Sequence, residues 1–223
     1  MAKKSKPYPV EEEDKKQEEL RVEEPAAVYG LNRSKRYTYA DYLSWVDDIR
    51  CELYNGIIYE MFGAPTSRHA LINGALFVKL WTYVTRRKGK CKTFHAPFDV
   101  RLPKNGETAD DKIYTVVQPD ICVICDPSKV DEKGCLGAPD LVVEVQSPST
   151  AVRDLNKKLH LYEEAGVKEY WVVLPKDKSV IVFLLHADGK YNDGTTYEYS
   201  EIRKVPVATL KGLEIDLQEL FEE

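Results

Sequence analysis

The heptapeptide Asp140–Gln146, DLVVEVQ, is apolar at its centre except for one carboxylate. Side chains alternate across a strand, so Asp140, Val142, Glu144 and Gln146 share one face, and Leu141, Val143 and Val145 the other. Apolar runs also predict strands at Phe94–Leu102, Tyr114–Cys125, Tyr170–Leu174 and Ser179–Leu185. Glu52–Phe62 reads as a hairpin, because Asn55-Gly56 between two apolar runs favours a tight primed turn. From Ser67 to about Arg87 the period becomes helical, with Ala70, Leu71, Gly74, Leu76, Val78, Leu80, Trp81 and Val84 available for burial. A second helix, capped by Ser149 or Thr150, runs to about Ala165, with Gly166 past its end. Thr38 caps a shorter one that lines up Tyr39, Tyr42, Leu43 and Val46. A strand–helix–strand unit among β-rich segments predicts an α/β (α+β) domain, with a mixed central sheet flanked by helices and partly buried on both faces.

Residues 1–31 lack clustered apolar side chains and carry mixed Glu and Lys charges, so they are expected to be a flexible extension before a domain at 32–223. The net charge of −5 argues against a strong non-specific nucleic-acid binder but leaves room for a local basic cleft. Arg86, Arg87, Lys88, Lys90 and Lys92, at the end of the long helix, either touch a phosphate backbone or complement the helix dipole. No apolar run approaches the roughly 18–20 residues that cross a bilayer, and the start has no apolar signal core, so no membrane partner and a cytoplasmic location are expected. Five cysteines at irregular positions are expected to be reduced thiols. Cys122 and Cys125 fall on opposite strand faces, which disfavours both chelation and a disulfide between them. The absence of a Walker A or G-x-G-x-x-G pattern argues against a nucleotide cofactor.

Candidate chemistry concentrates on Gln118–Tyr162. A carboxylate inside an apolar strand is costly unless it meets a cation or strong donors, so Glu144 needs a partner. Asp120 follows Pro119 on another apolar segment, and pairing of the two strands would bring the carboxylates within a few ångströms. Two acidic oxygens and a backbone carbonyl form a hard donor set suited to Mg²⁺ or Mn²⁺. On the helix wheel Val152, Leu155, Leu159 and Tyr162 cluster, with Lys158 at the edge of the stripe and Lys157 nearly opposite. Lys158 can therefore reach toward the sheet, or lie along the surface with its stem buried.

The chain resembles the Uma2 family of the PD-(D/E)xK restriction-endonuclease-like superfamily from about Tyr37 to Leu220. The resemblance rests on Gln118-Pro119-Asp120, Gly137–Val145, the Ser147–Thr150 turn, Asp154, Lys158-Leu159, Tyr162, Ala165-Gly166-Val167 and Glu169-Tyr170-Trp171. It implies a restriction-endonuclease-like core, with Asp120 and Glu144 as the motif's acids, Mg²⁺ as the expected ion and the Val145 carbonyl as a further ligand. The motif's lysine is replaced by Gln146, which orients water but carries no charge, leaving that charge to Lys158. Glu52 and His69 are auxiliary candidates and Asp99 a further ligand candidate. The expected activity is DNA phosphodiester hydrolysis by a homodimer. A non-catalytic interaction module that keeps the nuclease fold, and a nuclease acting on RNA or branched DNA, are the rival readings.

Overall fold

The computed structural model describes residues 27–28, 31–32, 34–45, 50–61, 64–146 and 151–222. Residues 1–26, the Ser147–Thr150 turn with its two candidate caps, Val46, and the side chains of Val152, Asp154 and Leu155 lie outside the described residues. Of the proposed extension only its last residues are described, where β1 (Ala27–Val28) pairs with β2 (Leu31–Asn32).

Thr38 caps α1 (Tyr39–Leu43) in a capping box with Asp41. Then β3 (Cys51–Tyr54) and β4 (Ile57–Glu60) form the expected hairpin, with both turn residues, Asn55 and Gly56, at positive φ. The long helix, α2 (Ser67–Arg86), is followed by β5 (Lys92–His95) and β6 (Val100–Arg101), then β7 (Val116–Val117) and β8 (Ile121–Ile124). The stretches Phe94–Leu102 and Tyr114–Cys125, each predicted as one strand, thus break into two, pairing β5 with β8 and β6 with β7, and each pair enters a different sheet. Next come β9 (Val130–Asp131), β10 (Gly134–Leu136), β11 (Leu141–Val145), α3 (Ala151–Ala165), β12 (Glu169–Leu174) and β13 (Ser179–Leu184). The chain closes with β14 (Thr195–Glu198), β15 (Lys204–Pro206), β16 (Glu214–Asp216) and α4 (Leu217–Phe221).

The main sheet has the order β14-β13-β12-β11-β8-β5, and the second β4-β3-β7-β6-β10-β9. Both are mixed: β11 lies parallel to β12 and antiparallel to β8, and β10 lies parallel to β6. Strand alternation divides the core. Val143, Val145, Trp171 and Val173 pack under α2, α4 and the chain end, whereas Val142, Tyr170 and Val172 pack with Tyr162 of α3 and with the second sheet. Each fully buried aliphatic side chain of this kind contributes roughly 1.5–3 kcal/mol.

Two expectations need correction. Cys125 is disulfide-bonded to Cys91, while Cys51, Cys122 and Cys135 are free and buried. The reason is register, since Lys92 lies opposite Ile124 and one further step sets Cys91 against Cys125. On α2 the buried stripe is Ile72, Leu76, Leu80 and Val84, and Leu71, Val78 and Trp81 are exposed. Apolar side chains surround this helix, so its period could not tell which stripe faces the sheet.

Candidate active site

Register also assembles the site. The β8–β11 pairing matches Val143 with Ile121, and one further step brings Asp120 level with Glu144. Asp120 stands just before β8, and its Oδ2 accepts from the Val145 amide (2.7 Å) and contacts His69 Nε2 (3.2 Å). His69 is in the first turn of α2, where the Thr66 side chain accepts from its amide. The hydrogen bond to Asp120 pushes the His69 pKa up against the opposing effect of burial. Its Nδ1 is buried without a partner.

Glu144 faces α3. Its Oε1 accepts from Lys158 Nζ and from the Tyr162 hydroxyl, both at 2.8 Å. Lys158 also reaches Glu52 Oε1 at 3.4 Å, and that oxygen accepts from the Gln118 amide at 2.8 Å. The Tyr54 hydroxyl donates to Glu52 Oε2. Burial pushes the Glu144 pKa up, Lys158 opposes the shift, and the Asp120 and Glu52 charges reinforce it. For Lys158 burial acts downward, but Glu144 and Glu52 more than offset it, so the ammonium stays charged. Three carboxylates therefore share one lysine and one histidine, an arrangement short of positive charge.

A divalent cation fits that deficit. Among the described residues no three His, Cys, Asp or Glu side chains converge to hold a metal by themselves. The donors at hand are fewer: Asp120 Oδ1 and Glu144 Oε2 are outside the bonds to His69, Val145, Lys158 and Tyr162. Together with the Val145 carbonyl they suit Mg²⁺, which is commonly held by one or two carboxylates and completes its shell with water and substrate oxygens.

The other sequence candidates sit as follows. Gln146 is half-buried, and its amide bonds the Val173 carbonyl at 2.9 Å. Asp99 accepts from Tyr39 (3.0 Å) and from the Gln118 side chain (2.8 Å), so it braces the step before Asp120. Asp140, on the Glu144 face by parity, accepts from the Cys125 amide and pairs with Lys168, both at 2.6 Å. Lys157 is exposed over the Tyr59 ring, as the wheel required. The sequence reading placed Tyr162 only in the packed stripe and missed its hydroxyl. The signal was available, since Tyr162 stands four residues after Lys158 and so shares its helix face.

The family model described as "Putative restriction endonuclease", Uma2, matches residues 39–218. The chain belongs to the Uma2 family. The match takes in every site residue named above. An uncharacterized protein of Synechocystis sp. is 28% identical to this Uma2 chain over 156 residues, covering 69% of this chain and 74% of its own. The crystal structure of a "putative nuclease belonging to DUF820" from Anabaena variabilis ATCC 29413 superposes with a TM-score of 0.65 at 19% identity, covering 83% of this chain and 97% of its own. That likeness shows the fold.

Proposed function

We propose that this Uma2 protein is a Mg²⁺-dependent DNA endonuclease, with Mn²⁺ able to substitute. The observation that carries the reading is that Asp120, just before β8, comes level with Glu144 on β11, with Lys158 2.8 Å from Glu144. Asp120, Glu144 and the Val145 carbonyl would hold the ion, which supplies a lowered pKa for an attacking water and neutralises charge on a phosphate oxygen. Lys158 keeps its proton and places a fixed positive charge where negative charge grows on the phosphoryl oxygens. His69 and the Val145 amide fix the Asp120 carboxylate, and Tyr162 fixes Glu144. Glu52 tethers Lys158 from the other side. Gln146, next to the Val145 carbonyl, orients the water through its amide group. Two copies of the chain would present two such sites, one for each DNA strand.

The non-catalytic reading has one observation in its favour: Lys158 is paired with Glu144 at 2.8 Å and offsets its charge. No helix of the described residues is long and apolar enough to cross a membrane. The test is conversion of supercoiled plasmid by the purified protein in millimolar Mg²⁺ or Mn²⁺ and in EDTA. Nicked or linear product with metal and none in EDTA is expected; an unchanged plasmid in all three conditions overturns the enzyme.

A further inference from the structure

The structure has a second place with the chemistry of a nucleic-acid contact. Between the C-terminal half of α2 and β5, the edge strand of the main sheet, lies a groove of about 240 Å³. It is bordered by Trp81, Thr85, Lys88, Lys92, Thr93 and Phe94, and no acidic residue lines it. Trp81 is 50% exposed, more than is usual for an indole.

We propose that this groove holds one unpaired nucleotide of a nucleic-acid strand, with its base on the Trp81 indole and its flanking phosphates on Lys88 and Lys92. Every base offers a π-face to an indole, and two ammonium groups on the rim match the phosphates on either side. An unpaired nucleotide fits better than a duplex, because stacking on Trp81 requires a base freed from its neighbours. The position also suits a strand that continues to the site described above, a point that rests on the nuclease reading. β5 starts at Lys92 in the groove and ends beside the acids, where the Ala96 amide donates to the Asp120 carbonyl at 3.1 Å. Those residues span about 13 Å at strand rise.

The test is binding of a dodecamer of thymidylate to the full chain in EDTA, read by anisotropy across a salt series and by tryptophan emission. Trp81→Ala is expected to weaken Kd about 5- to 150-fold, the loss of one stacked base. Lys88→Ala with Lys92→Ala is expected to reduce the slope of log K against log salt by about 1.4, two single-strand phosphate contacts. The oligonucleotide is expected to quench emission in wild type but not in Trp81→Phe. Unchanged Kd and salt slope in both surface variants overturns the proposal, as does wild-type protein that binds no oligonucleotide. Trp81 emission that responds to protein concentration and not to oligonucleotide also overturns it, and makes the surface a contact between copies. Failure of the nuclease reading is separable: protein that binds as expected and never cuts with Mg²⁺ keeps the groove and loses the enzyme.

Discussion

Glu144→Gln is expected to lower plasmid cleavage by about 10²–10³-fold while the protein stays folded, a loss of the size seen when one electrostatic stabiliser is removed from a site. The substitution keeps the shape of the side chain and leaves an oxygen for the Tyr162 and Lys158 bonds made at 2.8 Å. Lys158 retains Glu52 at 3.4 Å, so no ammonium is stranded. What disappears is the negative charge that a divalent ion needs. Because burial already penalises the charged form of Glu144, removing that charge should cost the fold little. Gel quantification of nicked product alongside a thermal melt separates the two effects. Cleavage within tenfold of wild type would take Glu144 out of the mechanism.

Lys158→Met is expected to act in the opposite way, on stability first. Lys158 is the cation in contact with both Glu144 and Glu52, and the three side chains are 13%, 15% and 6% exposed. Removing one partner of a buried ion pair typically costs about 3–5 kcal/mol, because the remaining charge is uncompensated. Urea unfolding at neutral pH should show a loss of that size, and Glu144→Gln in the same chain should restore part of it. A loss below about 1 kcal/mol would mean that water screens the pair, as at an exposed salt bridge. Activity should fall as well, since Lys158 is the lysine in contact with Glu144.

Local chemistry explains why some of this was legible in the sequence. Asn55-Gly56 has one good backbone solution, a tight hairpin, and Gly166 at φ +85° closes α3 as a glycine does at a helix end. Glu144 stood out because an acid in an apolar strand demands a partner, and the helix wheel chose Lys158 over Lys157 by angle alone. Contacts between distant segments were not legible. Glu52 lies 106 residues from Lys158, and only the meeting of the two sheets brings them together. His69 was named without a partner, and the one it has, Asp120, depends on how α2 docks on the main sheet. The Cys91–Cys125 disulfide required the β5–β8 register, which spacing in the chain does not contain. Alternation along one extended segment likewise could not show that β7 and β8 belong to different sheets, a division that gives Asp120 and Glu52 separate supports.

The most direct test of the central claim is a crystal of the protein soaked in millimolar Mn²⁺ and measured for anomalous scattering. The account predicts a peak between the Asp120 and Glu144 carboxylates, lost in Asp120→Asn. No peak there, with Lys158 still closed on Glu144, would contradict it and leave the nuclease fold as a scaffold.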